Sequence, residues 1–156
     1  MKVFLGGTCT SNWRDKIIPM LKIDYFNPVV PDWTEECYEE ELQQRKDCDF
    51  CLYVITPKMT GVYSIAEVID DSNKRPWKTL FCVLSVDDNK EFDVGQMKSL
   101  ERVAQMVDGN GGHSFDTLKG VADYINNVSV AFTQLNKEAN ADDSVVVASH
   151  CRYGSR

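Results

Sequence analysis

Five short apolar or β-branched runs punctuate the chain, separated by longer stretches in which apolar residues recur at helical spacing. That alternation predicts a parallel sheet with helices on both faces. The first run, KVFLGG at 2–7, leads through a polar turn at 8–11 into an amphipathic helix from Asn12 to Lys22. Ile17, Ile18 and Leu21 share one face there, and Pro19 bends or restarts the helix. A second strand is expected over Asp24–Val29, closed by Pro28 and Pro31. Asp32 or Thr34 then caps a helix through Lys46 that carries Glu35 and Glu36 in its first turn.

The run Phe50–Ile55 is almost continuously apolar, as a strand covered on both faces requires. Pro57 and Gly61 turn the chain into a helix that carries Glu67 and stops before Pro76. A fourth strand over Thr79–Leu84 precedes a loop with Asp87, Asp88 and Asn89. A helix over Val94–Val107 follows, with Met97, Leu100, Val103, Ala104 and Val107 as its core stripe. The turn Asp108-Gly-Asn-Gly-Gly then introduces a short fifth strand around Gly112–Phe115 and a last helix from Asp116 to Glu138. The expected organisation is one domain over 1–138 and a C-terminal tail over 139–156, whose Val145, Val146 and Val147 suit a subunit interface.

Composition narrows the partners. At 156 residues and 43% hydrophobic the chain can bury an ordinary single core. A formal net charge of −7 argues against nucleic acid and against anionic membrane surfaces, leaving a small molecule or another protein. No apolar run nears the ~20 residues that span a bilayer, and the start MKVFLGGT has no signal-peptide core, so a cytoplasmic protein is expected. The six cysteines then read as reduced thiols. Cys48-x-x-Cys51 lacks the second ligand pair of a zinc site and leads into a strand rather than starting a helix.

Chemistry is expected where the strand ends meet, in the crevice above the carboxyl edge of the sheet. The turn after strand one brings Gly6, Gly7, Thr8, Trp13 and Arg14; the turn after strand two brings Asn27, Asp32 and Trp33. The turn after strand three brings Gly61, Tyr63 and Ser64 ahead of Glu67. Glycines let a ligand approach the backbone, aromatic faces stack on a nucleobase, and Asn or Asp pair with a base edge. Arg14, or the backbone amides near Ser64, would suit a phosphate. Motifs for other chemistries are absent: GGTCTS lacks the Gly-x-Gly-x-x-Gly spacing, and there is no P-loop or Gly-x-Ser-x-Gly elbow. With His113 and His150 the only histidines, no metal site and no cofactor are expected.

The segments KVFLGGT, DWTEECYEEELQQRKDCDFCLYVITP and GVYSIAEVIDD resemble the nucleoside 2-deoxyribosyltransferase superfamily over roughly 1–127, in particular its nucleoside 2-deoxyribosyltransferase-like branch of bacteria and phages. With that resemblance the expected fold class is α/β, a five-stranded parallel sheet of flavodoxin/Rossmann-like three-layer type with strand order 2-1-3-4-5. The resemblance implies that Glu67 attacks the anomeric carbon of a nucleoside or nucleotide and that Glu41 protonates the departing base. Phe4 stands where the wider family places a tyrosine that orients the nucleophile, and Tyr63 and Ile65 stand where better-known members carry glycines. Homo-oligomers are also implied, with a neighbour's C-terminal segment at the pocket. The resulting expectation is N-glycosidic cleavage or transfer. A glycohydrolase of NAD type and a non-catalytic nucleotide-binding protein are the competing readings.

Overall fold

A computed structural model of the chain describes the backbone of residues 1–150 and the side chains of residues 1–139. Strands β1 (Lys2–Gly7), β2 (Asp24–Phe26), β3 (Phe50–Ile55) and β4 (Thr79–Val83) form one sheet with a short strand, His113–Phe115, at its far edge. The order is the second strand, the first, the third, the fourth and that last short strand, all parallel. The expected order 2-1-3-4-5 is therefore the observed one. β3 is buried at all six positions, which explains why its sequence shows no polar alternation.

Two cores lie on the two faces of the sheet. One packs Val3, Leu5, Leu52 and Leu80 against Trp13 and Ile17 of helix α1 (Trp13–Ile17) and against Leu118, Val121 and Ile125 of the last helix. The other packs Phe4, Tyr53, Ile55 and Phe81 against Val68, Leu100 and Val107 of the helices that follow β3 and β4. Pro19 begins a 3-10 turn, Ile18–Met20, so the first helical segment breaks there.

Helix α2 (Glu35–Asp47) is capped by Thr34, whose side chain accepts from the Cys37 amide. Helix α3 (Tyr63–Lys74) follows β3, and its buried residues are Glu67, Val68, Asp71 and Ser72. The loop after β4 contains a two-stranded hairpin, β5 (Val86–Asp87) and β6 (Lys90–Glu91), turned at Asp88 with φ 54°. Sequence periodicity does not announce strands of two residues, so the loop reads as unstructured until its backbone is seen. Helix α4 (Val94–Gly109) starts with a reciprocal capping box between Asp93 and Gln96 and leads to the edge strand β7 (His113–Phe115).

Strand two is shorter than expected, ending at Phe26 rather than Val29. The Asn27 side chain accepts from the Val29 amide at 3.1 Å, closing a local turn that removes the next residues from the ladder. The last helix, α5 (Leu118–His150), runs beyond the expected end at Glu138. The interface expected of the 139–156 tail falls outside the described side chains.

Candidate active site

A cavity of about 420 Å³ opens at the carboxyl ends of β1 and β3. The chain leaves β1 toward β2 and leaves β3 toward β4 on the other side, so this is the switch point where open parallel sheets hold ligands. Gly6, Gly7, Thr8 and Arg14 line it from the first turn, Trp33 and Glu41 from the second, and Gly61, Tyr63, Ser64 and Glu67 from the third. Cys9, Thr10, Met59, Thr60 and the 28–30 segment complete the wall.

Three of the expected groups are elsewhere. Trp13 is fully buried in the core, and its indole N–H donates to the Thr8 carbonyl at 2.9 Å, so its face is not free to stack on a base. Asn27 is exposed, and its side-chain oxygen accepts from the chain's own Val29 amide. Asp32 is exposed and is not one of the residues that line the cavity.

Backbone geometry explains the glycines. Gly7 has φ +112°, and a Cβ there would lie 2.1 Å from the Val54 carbonyl oxygen. No other residue fits that turn. Thr8 continues it by donating its amide to Val54 and accepting the Thr56 amide on its hydroxyl, which ties the ends of β1 and β3 together. Arg14 lies behind this turn. Its guanidinium donates twice to the Leu5 carbonyl and once to the Thr8 carbonyl, and burial lowers its pKa to about 10.

Glu67 is 5% exposed, and its Oε1 accepts from Arg45 Nη1 at 3.0 Å. Burial pushes its carboxyl up to about 7 against the pull of Arg45, and the nearby Glu41 and Asp71 charges push the same way. Glu41 is half-buried, and burial raises its carboxyl too, while Arg45 and Arg14 oppose the rise. The cavity therefore holds two carboxyls whose ionisation is tuned by the same surroundings.

Beneath them lies a network that the sequence does not single out. Arg45 grips Asp71 in a fork, Nε to Oδ2 at 3.2 Å and Nη2 to Oδ1 at 2.9 Å. Tyr53 donates its hydroxyl to Asp71 Oδ2 at 2.5 Å, and Arg75 donates to Oδ1. Burial alone would raise Asp71, yet these donors hold its carboxyl below the ordinary range. Nearer the cavity mouth, the Tyr38 and Tyr63 hydroxyls meet at 3.4 Å, and Trp33 leans on Tyr38 with ring centroids 5.9 Å apart.

Two helical stripes generate this arrangement. Tyr38, Glu41 and Arg45 lie on one face of α2, and Tyr63, Glu67 and Asp71 recur every fourth residue on α3. The i,i+4 repeat of Tyr63, Glu67 and Asp71 was the available sequence signal, but charged residues on a helix read first as a solvated face. Among the described residues, no group of three or more His, Cys, Asp or Glu could hold a metal ion. Cys48, Cys51 and Cys82 are buried free thiols, and burial pushes Cys51 and Cys82 up to about 12. Among the described residues, no helix is long and apolar enough to cross a membrane.

The fold and the site define an α/β protein with a carboxylate-lined crevice at its topological switch point. The family model described as nucleoside 2-deoxyribosyltransferase like matches residues 1–83, and the chain belongs to that family. The matched part covers β1 through β4 and includes Glu41, Arg45, Glu67 and Asp71. Membership brings a nucleoside-related glycosyl-transfer role. No curated protein matches the chain.

Proposed function

We propose that the protein cleaves the N-glycosidic bond of a nucleoside, with Glu67 as nucleophile and Glu41 as proton donor. The observation that carries this reading is that both carboxyls line one cavity, with the charge of Arg45 beside Glu67. Ionised Glu67 attacks C1′; the C1′–N bond breaks with its electron pair leaving on the base, and the Glu41 carboxylic acid gives the base its proton. A glycosyl ester on Glu67 results. Water or a second base then attacks C1′ and loses a proton to Glu41 carboxylate, and Glu67 leaves as carboxylate.

Among the described residues Arg14 is the one cation on the cavity wall, and three of its five N–H donors are held by the Leu5 and Thr8 carbonyls. Trp33 and Tyr63, both largely exposed at the wall, offer aromatic faces for the base in the place expected of Trp13.

The experiment is chromatography of the purified protein with nucleosides, nucleoside monophosphates and NAD, looking for free base, with and without an acceptor base. Release from nucleosides that is lost in Glu67→Gln supports the reading. Ligand affinity without base release turns the protein into a binder, and release confined to NAD turns it into the competing glycohydrolase.

A further inference from the structure

Helix α2 has one buried side chain, and it is a charged one: Arg45, 4% exposed. Every other position from Glu35 to Asp47 is at least partly open to water. A helix with no apolar stripe lacks the usual means of docking on a fold. The guanidinium supplies it instead, with a fork on Asp71 and a third donor on Glu67, both on α3. Tyr53 of β3 and Arg75 fix Asp71 from other sides, so the fork has a rigid seat.

Burying an arginine and two carboxylates takes three charges out of water. Apolar residues of similar volume would often be as stable or more so, so stability alone does not explain the network. Its placement does. Glu41 lies one turn before Arg45 on α2, and Glu67 lies one turn before Asp71 on α3. The clamp that joins Arg45 to Asp71 therefore sets the helix turns that carry the two cavity carboxyls. Phe4 has no hydroxyl to offer Glu67 and is stacked in the core against Phe26, so the Arg45 Nη1 contact is what fixes one oxygen of the carboxylate.

We propose that Arg45 is the positioning residue of this site: it docks α2 on α3, brings Glu41 to the cavity of Glu67, and holds one oxygen of Glu67 so that the other faces the ligand. The proposal rests on the glutamate reading above. The groups that act on Glu67 are Arg45 and Glu41 from α2 and Asp71 from α3, while Tyr63 on α3 feels its charge and Tyr53 from β3 acts through Asp71. Of these, Arg45 is the one that favours the anion. Without it, burial and the neighbouring carboxyls act unopposed.

The test follows the Glu67 carboxyl by carbon NMR through a pH titration of the full chain, with Glu67→Gln to assign the signal. In Arg45→Met the carboxyl is expected to titrate about one to three pH units higher than in the unaltered chain, and the acid limb of base release to move with it. Arg45→Lys keeps the charge without the fork and should fall between. Arg45→Met leaves Asp71 buried with its main partner gone, so Arg45→Met combined with Asp71→Asn, which removes both charges, is measured beside it. Because the Asp71 charge itself raises Glu67, the double variant is compared with Asp71→Asn alone; a Glu67 titration that is the same in those two folded proteins, or activity with an unmoved pH profile between them, overturns the proposal. If the unaltered chain releases no base, the glutamate reading falls, while the titration still decides whether Arg45 holds this carboxylate.

Discussion

Tyr53 reaches from the middle of β3 to donate its hydroxyl to Asp71 on α3, 2.5 Å from Oδ2, with the acceptor completely buried. The bond joins the central strand to the charged layer that carries the site. Asp71→Ala should therefore lower stability by about 3–5 kcal/mol, because it leaves the Arg45 cation buried beside a void. Urea unfolding measures this. The folded pKa of Asp71 is depressed, so its contribution is present above the unfolded value of 3.8 and fades as pH falls through the folded one. The deficit of the variant should accordingly shrink toward low pH. A loss below about 1 kcal/mol near neutrality would contradict the network's role.

Glu67→Gln should keep the fold and remove at least ~10²-fold of base release, since an amide is no anionic nucleophile. The carboxyl titrates at about 7 in the folded chain, so activity of the unaltered protein should rise with pH through that value. Stability has the opposite slope. A folded pKa raised above the ordinary 4.5 contributes stability that is full below 4.5 and lost as pH climbs through about 7. Glu67→Gln should therefore gain ground on the unaltered chain in urea midpoints between pH 4 and pH 8. Parallel pH profiles for the two proteins would count against the raised carboxyl.

Two glycines of the site should respond differently to alanine. At Gly7 the added Cβ meets the Val54 carbonyl and the positive φ disfavours any side chain, so Gly7→Ala should cost more than about 2 kcal/mol or prevent folding. At Gly61 a Cβ meets nothing within 4 Å. Gly61→Ala should stay within about 0.5 kcal/mol of the unaltered chain, with any effect confined to ligand binding. Thermal melts of the pair decide it.

The two tryptophans nearest the site should separate stability from recognition. Trp13→Ala empties a fully buried position and should lower stability by about 3–5 kcal/mol. Trp33, 61% exposed on the cavity wall, should be nearly neutral for stability when replaced by alanine, while nucleoside affinity falls about tenfold. Calorimetric titration with a nucleoside that is bound by the unaltered chain gives the second number, and undiminished affinity in Trp33→Ala would remove it from the site.

The alternation of apolar runs and helical stretches, read along the chain alone, is enough to call for a parallel sheet, because strands covered on both faces must be continuously apolar, as Phe50–Ile55 is. It also locates the turns after β1, β2 and β3, and with them Gly6, Gly7, Thr8, Trp33, Gly61 and Glu67 at the cavity, while Glu41 was expected there from the family resemblance. Tertiary structure decided what could not be local. Arg45 and Asp71 lie 26 positions apart on two different helices, and their burial is compensated by the pair they form with each other and by Glu67, Tyr53 and Arg75 around it. Trp13 and Arg14 sit in a polar turn sequence that suits a ligand, yet the Leu5 and Thr8 carbonyls at the end of β1 and in the turn after it need donors, and these two side chains supply them. Periodicity reports which face of an element is apolar. Which charges face each other across two elements depends on the packing of the whole chain.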